Sequence, residues 1–278
     1  MVCKGIIMNK EVVNLAKNIR LQVLRMVHRA KASHVGSCFS IADIVAVLYG
    51  SVLNVKPTEP AWIERDRFIL SKGHSAAAVY AALALRGFIP EKELEKYGES
   101  GSLLMTHISH KINGVEFSTG SLGHGLPFAT GKAMAAKKDK KLWRTFALLS
   151  DGELDEGSNW EAFIFAAHHK LDNLVAIIDY NKLQSLTTVA NTLGLEPLAD
   201  KFAAFGWSVK EVDGHNLVDI EGLLKTAPWV SEKPSVLIAH TIKGKGVSFM
   251  QNRVEWHYKS PNAEQLAQAI EEIEAAYA

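Results

Sequence analysis

An aspartate and an asparagine follow two apolar segments of this chain at a spacing that could hold a metal ion. Ser150-Asp151-Gly152 comes directly after the apolar residues 146–149, and Asp179-Tyr180-Asn181, in which Asn181 is 30 residues after Asp151, comes directly after the apolar residues 174–178. Both segments read as buried strands, and ligands of an open parallel sheet bind at the carboxyl ends of its strands. Carboxylate and amide oxygens suit Mg²⁺, which usually also binds cofactor phosphates. The pair predicts a magnesium and diphosphate site, where Gly152 would let the diphosphate approach the backbone.

Asp and Gly also dominate ordinary turns, so Asp151-Gly152 alone would indicate no more than a turn after a strand. The second amide, one strand-helix-strand unit later, is what favours a ligand site. The acids that follow have two interpretations as well. Residues 151–161 contain five carboxylates, which is typical of a solvated helix start. Glu156 and Glu161, however, flank a tryptophan before an apolar helix, where acids could be partly buried and shift protons.

Histidine is frequent in this chain, with eleven residues, and six of them lie in loop-like contexts beside Gly, Ser or Thr. A single histidine is usually structural, but several at loop positions indicate a polar site that handles hydroxyl or phosphate oxygens. A zinc site is disfavoured because no His-Glu-x-x-His or Cys-x-x-Cys spacing occurs. The six are His34, His74, His107, His110, His124 and His257.

Strand and helix patterns alternate along the chain, which predicts an α/β fold with a parallel β-sheet and helices on both faces. Ser40, with Asp43 three residues later, resembles a helix N-cap with a capping box. Predicted strands are 68–70, 146–150, 174–179, 207–212 and 235–241, and predicted helices are 11–29, 40–49, 76–85, 127–137, 159–170, 198–205, 217–225 and 263–276.

Composition narrows the class of protein. The 278 residues are 47% hydrophobic and 22% charged with a formal net charge of +1, so no nucleic acid is expected as a partner. No apolar stretch is long enough to span a membrane, and the first ten residues lack a secretory core. Two cysteines, Cys3 and Cys38, cannot build a disulfide framework. We therefore predict a cytoplasmic protein.

Several motifs occur in the order found in the amino-terminal, diphosphate-binding half of transketolase, and the chain resembles that family from about residue 21 to residue 261. Asp151-Gly152 with Asn181 is similar to the family's thiamine diphosphate motif, although Ser150 stands where the family usually has glycine. The other similar segments are 34–37 (an early histidine motif, with valine for proline), 71–74 (the Ser-x-Gly-His loop), 114–125 (the Gly-Val-Glu and glycine-rich region) and 243–257 (the late loop with another histidine).

The resemblance implies the roles of individual residues. Mg²⁺ would be bound by Asp151, Asn181 and the carbonyl of Leu183. His34, His74 and His257 would line the sugar channel, together with either His107 or His110, which compete for one position. Glu156 and Glu161 would lie between the two active sites of a dimer. The residues that would contact thiamine diphosphate are His74, Gly120, Ser121, Leu122, Gly152, Glu153, Asn181 and His257.

Transketolases of this family are more than twice as long as the present chain. The resemblance therefore implies that residues 1–278 form one diphosphate-binding domain, and that a second subunit carries the pyrimidine-binding and carboxy-terminal domains. It implies ketol transfer from a ketose or ketose phosphate to an aldose, by an α2β2 assembly. Three alternatives remain: a thiamine diphosphate subunit that decarboxylates 2-oxo acids, a non-catalytic diphosphate-binding or regulatory protein, and a Rossmann-type nucleotide binder. The third alternative is disfavoured because no Gly-x-Gly-x-x-Gly motif follows a predicted strand in this chain.

Overall fold

A computed structural model describes residues 9–277. Its sheet contains only parallel strands, in the order β1-β2-β3-β5-β4. The register aligns Ser150 with Asp179 and Asp179 with Ala239, so the segments that follow three neighbouring strands leave the sheet at the same edge. The strands are β1 (Arg67–Leu70), β2 (Thr145–Ser150), β3 (Leu174–Tyr180), β4 (Ser208–Asp213) and β5 (Ser235–His240).

Helices cover both faces of the sheet. Strand residues alternate between two apolar clusters, since Phe146 and Leu148 belong to one and Ala147 and Leu149 to the other. The first cluster includes residues of α1, α3, α4, α9 and α10, and the second includes residues of α5, α6 and α8. The helices are α1 (Lys10–Ala30), α2 (Val35–Ser40), α3 (Ala42–Val47), α4 (Ala76–Leu85), α5 (Gly125–Lys138), α6 (Gly157–His168), α7 (Val189–Thr192), α8 (Leu198–Ala204), α9 (Leu217–Lys225) and α10 (Ala263–Ala276).

The predicted parallel sheet with helices on both faces is confirmed, but the predicted helix 40–49 is wrong at its start. A turn at Ile41 separates α2 from α3, so Ser40 ends one helix instead of capping the next. Its hydroxyl donates to the Asp179 carboxylate and to the Ser37 carbonyl. The Asp43 carboxylate binds Arg20 and His215, so long-range partners take both groups of the supposed capping box.

The first eight residues, which include Cys3 and most of the segment predicted to lack a secretory core, lie outside the described residues. Within residues 9–277, none of the helices combines the length and the apolar character that crossing a membrane would require.

Candidate active site

A pocket of about 270 Å³ opens at the carboxyl edge of the sheet, where the loops after β1, β2, β3 and β5 meet. Two groups of polar side chains line it. We name Lys72, Asp151 and Asn181 the sheet-end side, because each lies within two residues of the carboxyl end of a strand. The histidine side consists of His34, His74, His107 and His257, from loops and short helices around the opening.

The Asp151 carboxylate is buried and held by the backbone. Its Oδ1 accepts the Gly152 N–H at 2.8 Å, and its Oδ2 accepts the N–H of Lys182. Burial, together with the negative charge of Asp179, raises the pKa of Asp151 to about 7. A cation beside a buried carboxylate with a raised pKa stabilises its charged form.

Asn181 is also oriented by its neighbours. Its Nδ2 donates to the carboxylate of Asp179 at 3.1 Å, and its Oδ1 accepts the N–H of Leu183 at 3.0 Å. Asp151, Asn181 and Leu183 line the same pocket, so it offers a carboxylate, an amide and a carbonyl as oxygen donors. These are hard ligands of the kind that Mg²⁺ binds. In the described part of the chain, no three His, Cys, Asp or Glu side chains form a metal cluster, so a cation would depend on this mixed set.

Lys72 is almost fully buried and forms an ion pair with Asp179. The loop that carries it folds tightly, because a Cβ at Gly73 would lie 2.2 Å from the carbonyl oxygen of Thr119. Only glycine allows that approach. The close contact places His74 and Gly120, from two distant segments, in the same pocket wall.

Glu153 lies behind this wall, fully buried. Its carboxylate accepts the hydroxyl of Ser71, the N–H of Gly123 at 2.9 Å and the N–H of Ser150 at 3.3 Å. These three donors belong to three different segments around the pocket. Burial raises the pKa of Glu153, while its hydrogen bonds oppose that rise. The side chain therefore joins the segments and does not line the pocket.

The rings of the histidine side contact one another. The ring centroid of His34 lies 5.1 Å from that of His74, 5.7 Å from that of His107 and 5.0 Å from that of His257. Burial lowers the pKa of all four: to about 4 for His34 and to about 3 for His257. The charges of nearby histidines and lysines add to this effect, except at His107. These imidazoles are therefore neutral near pH 7 and able to accept protons.

Lys243 links the two sides. Its Nζ lies 2.9 Å from Nδ1 of His257 and donates to the carbonyl of Gln184 at 3.1 Å. Burial and the charge of Lys72 lower the pKa of Lys243 to about 8. The ammonium also lies 3.4 Å from the carbonyl oxygen of Leu183, and among residues 9–277 no carboxylate forms an ion pair with it, so its positive charge would favour an anion in the pocket.

The structure brings most of the predicted site residues together. His107 is half-buried in the pocket wall, whereas His110 is exposed and bonded to Ser118, so only the first of these two competing histidines lines the pocket. Ser121 is exposed outside the pocket. The predicted residues that line it are His34, His74, His107, Gly120, Leu122, Asp151, Gly152, Asn181, Leu183 and His257.

Glu156 and Glu161 do not line the pocket. Both are exposed, one directly before α6 and one in its second turn. They do not show the partial burial that the sequence suggested. Their predicted position between two active sites of a dimer remains a prediction.

Sequence reasoning gave no role to Lys72, Lys243 or Asp179. A signal existed for the first two, since each lysine lies within a segment that resembles a motif of the family. For Asp179, which does not line the pocket, the only signal was its position two residues before Asn181.

Comparison with known proteins shows the family of this chain. The transketolase, thiamine diphosphate binding domain family matches residues 11–274. An apulose-4-phosphate transketolase subunit of Phocaeicola vulgatus is 42% identical over 254 residues, which are 91% of this chain and 90% of that protein. A 6-deoxy-6-sulfo-D-fructose transketolase subunit of Clostridium sp. is 39% identical over 93% of this chain and 94% of its own.

Single-chain transketolases match over less of their length. The human enzyme is 38% identical over 93% of this chain but 41% of its own. The crystal structure of Campylobacter jejuni transketolase superposes with a TM-score of 0.88 at 32% identity, over 95% of this chain and 42% of that one. The chain thus spans about two-fifths of these enzymes. It belongs to the transketolase family, and it matches the thiamine diphosphate-binding domain of that family.

Proposed function

We propose that this chain is the diphosphate-binding subunit of a split, magnesium-dependent transketolase that transfers a two-carbon ketol unit from a ketose to an aldose. One observation carries the proposal: a single pocket holds oxygen donors for a cation on one side and four neutral histidines on the other. Relatives called transketolase subunits match this chain over nearly their full length. Those names favour ketol transfer over decarboxylation of a 2-oxo acid.

Mg²⁺ would be held by Asp151, by the amide oxygen of Asn181 and by the carbonyl of Leu183. The donors fit this ion because they are all oxygens, two of them on buried side chains. A divalent cation would also offset the cost of keeping the Asp151 carboxylate charged in a buried position.

The diphosphate of the cofactor would be held by Gly152, His74 and His257, and the cationic side chains of Lys72 and Lys243, which line the same pocket, would balance its charge. Thiamine diphosphate, when bound, supplies the carbon nucleophile and the electron sink that ketol transfer requires. Gly120 and Leu122, on the same wall as His74, would contact its organic part. Ser121 and Glu153, also predicted to contact the cofactor, would support this wall from outside the pocket.

The histidine side would bind the sugar and exchange protons with its hydroxyl groups. Neutral imidazoles can accept a proton from a hydroxyl and return it, which typically contributes about 10²–10⁴-fold to a rate. The lowered pKa values of His34 and His257 keep these rings in the accepting form at neutral pH. Tyr258, exposed beside them, adds a hydroxyl at the rim of the pocket.

A second subunit would complete the site by supplying the pyrimidine-binding and carboxy-terminal domains, which residues 1–278 do not resemble. Two copies of each subunit would form a cytoplasmic α2β2 enzyme, with Glu156 and Glu161 facing the interface. The substrates would be sugars or sugar phosphates. Because the named relatives act on apulose 4-phosphate and on 6-deoxy-6-sulfo-D-fructose, we include such specialised ketoses among the donors.

Ketol transfer assays test the proposal. This chain, its candidate second subunit, or a mixture of the two is assayed with thiamine diphosphate, Mg²⁺ and a panel of ketose donors. Activity in the mixture alone supports a split enzyme. Strong activity of this chain alone would contradict the shared site. A mixture that forms a complex and binds the cofactor, but transfers no ketol unit from any donor, would contradict the reaction.

A further inference from the structure

We propose that Asp179 is a positioning residue, which orients Asn181 and restrains Lys72 so that the cation subsite exists before a ligand arrives. The inference rests on the proposed function, because it assumes that the pocket binds a divalent cation with a diphosphate. It assigns a role to a side chain that does not line the pocket.

Asp179 is fully buried at the carboxyl end of β3, and four side chains donate to its carboxylate. One oxygen, Oδ2, accepts the Ser40 hydroxyl at 2.7 Å, the Lys72 ammonium and the Asn181 amide at 3.1 Å. The other, Oδ1, accepts the hydroxyl of Thr241. The donors come from α2 and from the ends of β1, β3 and β5, so one carboxylate joins four segments at the pocket edge.

The bond to Asn181 decides which end of that amide can meet a cation. A carboxamide has one donor end and one acceptor end, and a carboxylate accepts only from the donor end. Asp179 binds Nδ2 of Asn181, which leaves Oδ1 directed away from the carboxylate. An asparagine at position 179 could bind either end, so only the Leu183 N–H would still hold the oxygen in its present position.

The bond to Lys72 removes a competitor. Lys72 and Asp151 line the same pocket, and an ammonium group attracts a carboxylate. The ion pair with Asp179 holds this ammonium away from Asp151. Without it, Lys72 is expected to move towards Asp151 and to compete with the divalent cation for that carboxylate.

Binding of Mn²⁺ in place of Mg²⁺ tests the inference, because free Mn²⁺ is measured directly by electron paramagnetic resonance. The chain is mixed with excess thiamine diphosphate and with its second subunit, and Mn²⁺ is titrated into the wild type and the Asp179→Asn variant. Loss of a group that orients a metal ligand typically weakens metal binding by about 10–100-fold, and we expect a shift in that range.

Asp66→Asn is the matched control. Asp66 is also a buried acid, but it lies before β1 at the opposite edge of the sheet, where it accepts backbone N–H groups of Asn54 and Arg144. Both substitutions are expected to lower the unfolding temperature, whereas only Asp179→Asn should change the Mn²⁺ affinity. A purely structural role for Asp179 predicts equal metal affinity in the two variants and would overturn the inference.

Thr241→Val keeps the inference testable if Asp179→Asn does not fold. It leaves the carboxylate in place and removes only the donor to Oδ1, so Mn²⁺ binding should weaken severalfold. Affinities within twofold of wild type for every folded variant contradict the positioning role. A wild-type complex that binds no Mn²⁺ with the cofactor contradicts the proposed function itself, and the inference with it.

Discussion

The two sides of the pocket hold their polar groups differently. On the sheet-end side, Asp151 accepts two backbone N–H groups, and Asn181 and Lys72 share the carboxylate of Asp179. On the histidine side, ring contacts dominate. Of the four rings, only that of His257 has a hydrogen-bond partner within residues 9–277, and this partner is Lys243.

This difference suits two kinds of ligand. A group that is the same in every turnover benefits from ligands locked in advance by buried hydrogen bonds. A sugar that changes from donor to acceptor meets hydroxyls in different places, which unanchored imidazoles can follow. The sheet-end side thus has the properties of a rigid cofactor-binding site, and the histidine side has those of an adaptable substrate-binding site.

The largest effect should follow from removal of the carboxylate on the sheet-end side. Asp151→Ala is expected to lower ketol transfer by about 10³-fold or more, since a bound metal ion contributes several kcal/mol. Cofactor binding should weaken in parallel, which isothermal titration calorimetry with thiamine diphosphate and Mg²⁺ would measure. Asp200→Ala, an exposed acid on α8, is the control and should leave both quantities unchanged. Normal cofactor affinity in Asp151→Ala would contradict the assignment of the sheet-end side to the cofactor.

A smaller effect is expected on the histidine side. His107→Ala should lower kcat/KM by about 10²-fold, the lower end of the usual contribution of an acid-base group, with little change in cofactor affinity. His110→Ala is a close match three residues away, but it is exposed outside the pocket and should stay within twofold of wild type. Steady-state kinetics of the complex decides between the two histidines. The reverse order of effects would contradict the geometry of this loop.

The third prediction concerns stability. Glu153→Gln should lower the free energy of unfolding by about 1–3 kcal/mol, because an amide cannot accept from Ser71, Gly123 and Ser150 as a carboxylate does. Glu156→Gln, on an exposed side chain, should change it by no more than about 0.5 kcal/mol. Urea unfolding of both variants measures the difference. Equal values would mean that Glu153 does not join the pocket segments.

The smallest effect is a dependence of stability on pH. The pKa of His257 is about 3 in the folded chain, below the ordinary value near 6.5 expected on unfolding. Below about pH 6.5, His257 therefore binds a proton in the unfolded chain but stays neutral in the folded chain. The free energy of unfolding falls as the pH drops below that value.

His257→Asn removes this contribution. Between pH 7.5 and pH 5, it should lose roughly 1 kcal/mol less stability than the wild type, after allowance for the solvent exposure of the ring. Urea unfolding at the two pH values tests the prediction. A variant that loses as much stability as the wild type would show that His257 is not held neutral by burial and Lys243.

The fold could be predicted from local patterns. Apolar runs such as residues 174–178 pair as buried parallel strands, and their spacing places Asp151 and Asn181 at one edge. The long-range hydrogen bonds of buried residues behind the pocket, such as those of Asp179, could not be predicted in this way. Asp179 binds Ser40 across 139 residues, and no local pattern reports a contact of that length.

Loop geometry was the second limit of prediction. His107 and His110 have similar sequence contexts, and only the folded loop separates a pocket residue from an exposed one. Ser40 is a second residue whose position could not be predicted from its local sequence. Its sequence favours a helix cap, but a buried acid elsewhere in the chain provides a stronger partner for its hydroxyl.

The contacts of Asp179 also determine when the pocket can form during synthesis of the chain. Ser40 and Lys72 leave the ribosome 139 and 107 residues before Asp179, but Thr241 follows it by 62 residues. Strand β5, which pairs with β3, is likewise made late. A nascent chain that stops before Ser235 lacks both, so the pocket edge can be completed only when translation of this domain is nearly finished.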